Sequence, residues 1–313
     1  MLRYVVRRIL VVIPLMFGLS VLLFLYVHAV PGDPIAGMLG PNGSPDLIAQ
    51  IRSDRGLDRP LLEQYADWLT GLGHGDLGVS LLTGQKVTPV VVARIPATAQ
   101  LTLMSLLFTV LIGFPAGFFA GRHRGTWIDK VLSPAALLGL SMPVFWIGTL
   151  LILIFAVKLH WLPTGGYVPF TRDPVRSLQL TLMPTFALGL HLSPFLARMV
   201  RATTIELQRE QFVVQARMKG LQPRTITYRY VLRNAIVPVL VVLGLQLGTL
   251  LGGQVIIEQL FNWPGVGRLL VEGAIQRDYL VVQSLILVIA ALYVIVNLCV
   301  EVLHAWLDPR LRL

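Results

Sequence analysis

An all-α polytopic membrane protein with six spanning helices is the fold this sequence predicts. Three observations predict it. Of the 313 residues, 55% are hydrophobic and 13% charged, a balance outside that of soluble domains. The apolar residues gather in runs of about 20 or more, the length a helix needs to cross a hydrocarbon core about 30 Å thick. The charged residues gather between those runs, and the basic ones favour alternate gaps.

The runs follow one another along the chain. The first, Ile9–Val30, exceeds the apolar core of a cleavable signal peptide and no small-x-small site follows it. It reads as a retained span, ended by Pro31-Gly-Asp-Pro34. Residues 31–97 are too polar to cross. Within them Ser44–Arg55 and Pro60–Leu72 read as short amphipathic helices, the first with Ser44 as cap and Pro45 at its first position. His74-Gly-Asp-Leu-Gly78 reads as a tight turn. The core of the chain is expected over 98–313.

The second run, Thr98–Gly121, carries Gly113, Gly117 and Gly121 at four-residue spacing, hence on one face. Small residues let helix backbones approach in lipid, so that face reads as a packing face, with a movable interface as the alternative. Pro115 and, in the third run Val131–Val157, Pro143 are expected to bend their helices. Lys158–Ser177 holds Pro163, Gly165, Gly166, Pro169 and Pro174 and should be irregular. The fourth run is Leu178–Val200. The fifth, Ala235–Ile257, repeats the glycine spacing at Gly244, Gly248 and Gly252. Glu258–Tyr279 follows, and Leu280–Leu303 is the sixth run. Its Cys299, the single cysteine, has no disulfide partner in the chain and no companions for a metal cage.

Orientation follows from the positive-inside rule. With the N-terminus in the cytoplasm, the inner segments carry Arg3, Arg7 and Arg8, then Arg122, Arg124 and Lys130, then Arg198 and the basic residues of 201–234, then Arg310 and Arg312. The outer segments carry fewer, nearly matched by acids. Both termini are therefore expected in the cytoplasm. The net charge of +10 is explained by topology, and no nucleic-acid partner is needed to account for it.

Polar residues at membrane depth are few: Gln100, His191, Gln246 and Asn297, with Glu258, Glu301 and His304 nearer the ends. Such groups either bond between helices or line a path for a polar solute. His191, Gln246 and Gly248 are the candidates for a translocation pathway. No carboxylate pair sits mid-membrane to relay protons. No Gly-x-x-x-x-Gly-Lys-Ser/Thr loop is present, so the chain does not bind nucleotide in that manner. No His-Glu-x-x-His is present either. The chain reads as no enzyme, with no cofactor and no metal. Any uphill transport must draw on a partner or an ion gradient.

The segment 201–234 is the most informative. From Gln211 to Pro238 it holds Arg217, Lys219, Arg224, Arg229 and Arg233 and no acid. Ala216 and Gly220 stand four apart, and Tyr230-Val-Leu-Arg-Asn-Ala235 follows nine residues after Gly220. This pattern resembles the coupling loop of membrane subunits of binding-protein-dependent ABC importers. Val214, Gln215 and Arg233 depart from the general form and resemble the peptide-type branch. So do His28-Ala-Val-Pro-Gly-Asp-Pro34, Gly56-Leu-Asp-Arg-Pro60, Gly75-Asp-Leu-Gly-Val-Ser80, Phe261-Asn-Trp-Pro-Gly-Val-Gly-Arg268, Arg277-Asp-Tyr279 and Asp308-Pro-Arg310, in order along the whole chain.

The resemblance implies a type I ABC importer permease in a bacterial inner membrane. It implies a second, different permease, two ATPase subunits, an external substrate-binding protein and a dipeptide, oligopeptide, glutathione or related substrate. It assigns Ala216, Arg217, Met218, Lys219, Gly220, Leu221 and Arg233 to the ATPase contact. It also makes 31–97 the candidate for contact with the binding protein or for occluding the exit. Gly220 either permits close approach or ends a short helix. The competing reading is a stand-alone carrier driven by an ion gradient, which has no need of such a loop.

Overall fold

The computed structural model describes residues 2–29, 44–54, 56–80 and 82–307. The motifs at 30–43 and 308–310 lie outside the described residues. The described chain is helical, with a single isolated antiparallel bridge between Val79 and Lys86. In order, the helices are α1 (Leu2–Ala29), α2 (Pro45–Asp54), α3 (Leu61–Gly73), α4 (Val87–Arg122), α5 (Trp127–Ser141), α6 (Val144–Leu151), α7 (Pro174–Leu207), α8 (Gln211–Met218), α9 (Leu232–Leu260), α10 (Val266–Ile275) and α11 (Tyr279–Leu307). A helical stretch Pro223–Thr225 leads through π-helical Ile226–Val231 into α9.

Among the described residues, α1, α4, α7 and α11 each contain a stretch long and apolar enough to cross a membrane. At 29 residues, α9 is about 43 Å long, more than a hydrocarbon core requires. The third run departs from a single span. α5 and α6, the latter extended by π-helical Ile152–Lys158, meet at 98°. The break is Met142-Pro143, both in extended conformation. Pro143 lacks an N–H and pushes Met142 out of the helical region, so the chain turns where a bend was expected.

Other boundaries follow local chemistry. α7 opens on Asp173, whose carboxylate accepts the Arg176 N–H at 2.9 Å, with Pro174 at the first position. α2 and α3 lie within a residue or so of their expected ends. Residues 159–173 are irregular, as the prolines and glycines there predict. The segment 258–279 contains a full helix, α10, between α9 and α11. The segment 201–234 is mostly helical, because α7 continues to Leu207, α8 follows, and helix resumes from Pro223 into α9.

The chain divides into two compact units, Ala99–Trp263 with the chain ends Met1–Val5 and Ile295–Leu313, and Val6–Thr98 with Pro264–Val294. In the first unit the glycine row of α4 lies against the backbone of α7. A Cβ added at Gly113 would stand 2.7 Å from the Ser193 carbonyl oxygen, and one at Gly121 2.8 Å from that of Arg201. At Gly117 the Ala197 carbonyl leaves less room still. The packing reading of that row is therefore correct. Gly244 of α9 meets a side chain instead, that of Val300. Gly252 falls outside the described side-chain positions. Across α4 and α7, Gln100 Nε2 donates to Ser177 Oγ and Thr181 Oγ1, both at 2.9 Å.

The motif after α9 is also structural. Asn262 takes a left-handed conformation, φ 52°, which asparagine tolerates. The Trp263 N–H returns to the Glu258 carbonyl at 2.8 Å and that of Asn262 to Gln259, closing the helix. Phe261 and Trp263 are fully buried. Gly165 lies against the Phe261 backbone, and Tyr167 meets the Trp263 ring edge-on at 4.9 Å. Burial there pushes the Tyr167 phenol up from its ordinary value.

In the second unit Val87 and Val91 of α4, Val266 of α10, and Val281 and Leu285 of α11 form the core. Ser80 Oγ donates to the buried Asp278 carboxylate, and Ser284 Oγ to the Leu77 carbonyl. Phe24 of α1 meets the Tyr65 ring of α3 edge-on at 5.2 Å and the Trp68 ring at a tilt at 6.2 Å.

Candidate functional site

α8 is a helix of eight residues, too short to persist on its own. Packing holds it. Val213 and Ala216, three apart and so on one face, are 0% and 4% exposed. They belong to one apolar cluster with Phe118 of α4, Leu196 and Val200 of α7, Ile226 and Val231 of the π turn, and Val239 and Val242 of α9. The inner face of α8 is thereby joined to three long helices. The smallness of Ala216 serves this internal contact. The guanidinium of Arg122, last residue of α4, lies 5.9 Å from the Tyr228 ring centroid, a further tie to the π turn.

The far end of α8 is open. Gly220 has φ +73°, and an added Cβ would meet nothing within 4 Å. The Gly220 N–H donates to the Arg217 carbonyl at 3.0 Å and the Leu221 N–H to the Ala216 carbonyl at 3.2 Å. This is the paired closure that a left-handed glycine permits. Gly220 thus ends the helix. Beyond the closure Pro223 restricts Gln222 to extended backbone, φ −58° and ψ 139°. Arg217, Lys219 and Gly220 are exposed, Met218 is 75% exposed, and Leu221 stands at the same tip. Arg233 is exposed on the first turn of α9. The result is an apolar knob ringed by cations, mounted rigidly from behind.

The pathway candidates lie elsewhere. His191 Nδ1 donates to the Met142 carbonyl at 3.3 Å, at the break between α5 and α6. Gln246, buried on α9, donates through Nε2 to the Leu192 carbonyl at 3.0 Å. Adjacent residues of α7 are thereby tied in different directions, His191 to the α5–α6 break and Leu192 to α9. Gly248, two residues further along α9 and so on a different face from Gln246, is half-buried.

One constellation escaped the sequence reading. Asp129 at the start of α5 receives Arg201 Nε at 2.6 Å and Nη2 at 2.9 Å. Its oxygens also accept the Gly125 N–H at 3.0 Å and Ser133 Oγ at 2.8 Å. The available signal was a lone acid between Arg124 and Lys130 in an otherwise basic segment.

Comparison with known proteins agrees with this architecture. Residues 113–313 match the family described as binding-protein-dependent transport system inner membrane component. Residues 1–102 match the N-terminal region of such membrane components. The glutathione transport system permease protein GsiC of Escherichia coli strain K12 is 38% identical over 312 residues, covering 100% of this chain and 99% of that protein. GsiC of Shigella dysenteriae serotype 1 gives the same values. Among solved structures, an inward-facing MetNI methionine ABC transporter superposes with a TM-score of 0.58 at 18% identity, covering 70% of this chain and 96% of that one. A second crystal form gives 0.57 at 19% identity, with the same coverage. At such identity the likeness concerns the fold. The fold, the two matched regions and the full-length relatives together show that this chain belongs to the family of binding-protein-dependent transport system inner membrane components, as a multi-pass permease component of a bacterial ABC importer.

Proposed function

We propose that the chain is one of two similar but different permeases of an ATP-driven importer, with six spans and both termini in the cytoplasm. Two ATPase subunits lie beneath the pair, and an external binding protein delivers the substrate. The observation that carries the reading is the mounting of α8. Its inner face is fixed to the ends of three long helices, and its tip offers Met218 and Leu221 to a cleft with Arg217 and Lys219 as donors. A push on that tip is transmitted to the bundle as rigid-body motion. The relatives named as glutathione permeases support a substrate of the peptide class, glutathione among them.

Segment 31–97 is the contact for the binding protein in this reading. The pathway candidates take a definite role: the bonds from His191 and Gln246 to backbone carbonyls are those that a rearrangement around α7 must exchange. The test is gentle purification from native membranes, followed by reconstitution. Recovery of a second permease and ATPase subunits, with ATP-dependent uptake of a peptide, is the expected result. Recovery of the chain alone, with uptake that survives ATP depletion, would overturn the reading in favour of an ion-driven carrier.

A further inference from the structure

A crevice of about 410 Å³ lies within the first unit, between α4, α5 and α7. Its cause is visible in the sequence of α5. That helix is pinned to α7 at two points, with Gly139 against the Pro194 ring and Asp129 bonded to Arg201. The pins are ten residues apart, about 15 Å along the axis. Between them Ala135 and Ala136 face Ala116 and Ala120 of α4 and Ala197 of α7. Small side chains on all three walls leave the space unfilled.

The lining is mostly apolar, with Ser133, Ser193, Arg198 and Arg201 as its polar members. Leu137 lines the crevice and is also 57% exposed, so the space reaches the outer surface of a helix that presents Val131 and Leu138 outward as well. In a membrane-spanning protein that surface meets acyl chains, and an apolar hollow does not hold ordered water. The charges are at one end. Arg201 is neutralised by Asp129, both of whose oxygens are engaged. Arg198, one turn away, also lines the crevice, is exposed, and lies 5.9 Å from the Phe195 ring. Among the described residues it forms no ion pair. A greasy slot ending in an unneutralised guanidinium has the charge pattern of an anionic amphiphile.

We propose that this crevice binds an anionic phospholipid of the surrounding bilayer, with one acyl chain between α5 and α7 and the phosphate on Arg198. The site rests on the membrane placement of the chain and not on the role of α8.

The experiment uses the full chain with its co-purifying subunits. Binding of phosphatidylglycerol and of phosphatidylcholine with matched chains is measured by native mass spectrometry. The wild type is expected to hold phosphatidylglycerol about fivefold more tightly. Arg198→Gln should lose that preference, and Arg198→Lys should keep it. Ala136→Phe, which fills the crevice, should remove both lipids from the site. The Gln and Lys variants differ chiefly in charge, so their comparison stands even where Ala136→Phe fails to fold. Equal binding of the two lipids by the wild type, or an undiminished preference in Arg198→Gln, overturns the proposal. So does an Ala136→Phe variant that retains lipid and loses a subunit, because the crevice then belongs to a partner's helix.

Discussion

Asp129 and Arg201 stand 72 residues apart and share two hydrogen bonds, of 2.6 and 2.9 Å, across α5 and α7. The carboxylate is 9% exposed and the guanidinium 31%. Removing one member leaves a largely desolvated charge. Asp129→Asn is expected to destabilise the protein by about 1–3 kcal/mol, the lower part of that range reflecting the partial exposure of Arg201. A double-mutant cycle with Arg201→Gln, read by thermal unfolding in detergent, should give a favourable coupling. Additive losses would show that the pair contributes no energy of its own.

The glycines of α4 are predicted to be intolerant. Gly117→Ala drives a methyl into the Ala197 carbonyl, and the helices must part to relieve it. A loss of about 1–3 kcal/mol is expected. Gly18 of α1 has nothing within 4 Å of an added Cβ, so Gly18→Ala serves as the control and should be neutral or slightly stabilising. Equal melting temperatures for the two variants would contradict the close approach.

At the tip of α8, Met218→Glu and Arg217→Glu alter only exposed side chains. Both variants should insert, fold and bind substrate-delivery partners as before, yet lose most ATP-dependent uptake in proteoliposomes. Gly220→Glu should do the same with a further cost, since a residue with a side chain at φ +73° is strained by about 1–2 kcal/mol. Gly220→Ala isolates that strain from the charge. Full coupling of uptake to hydrolysis in Met218→Glu would remove α8 from the energy path.

Arg277 occupies a left-handed conformation, φ 59°, where it closes α10 through the Asp278 N–H bond to the Gly273 carbonyl. The side chain is exposed and the backbone position favours glycine. Arg277→Gly is expected to raise stability by up to about 1 kcal/mol in the isolated chain, measured by denaturation. A loss of stability would show that the arginine makes a contact that outweighs its strain.

The long apolar runs were legible because composition and length are read without tertiary knowledge. Gly113, Gly117 and Gly121 were legible for the same reason, since four-residue spacing fixes a face. Pro143 announced a bend, but its size depends on what receives the freed carbonyls, and His191 of a different helix takes that of Met142. The helix α10 was masked by Pro264 and Gly265 just before its first turn and by Gly267 and Gly273 within it. Ala216 shows the limit most clearly. Its small size suits a docking cleft and an internal contact equally well, and only the packing of Val213 and Ile226 beside it shows that the internal contact is made. Asp129 and Arg201 were unreadable as a pair because nothing local joins them.

The contacts of the glycines divide into two mechanical kinds. Along α4, three successive glycines are keyed into backbone carbonyls of α7, and backbone atoms cannot swing aside. Gly148 and Gly244 instead face the side-chain ends of Leu260 and Val300, which turn by rotation about single bonds. Lateral freedom is thus distributed unevenly. α4 and α7 travel as one strut, and sliding is available where α6 meets α9 and where α9 meets α11. Any cycle that opens and closes this permease has its axis of compliance along α9.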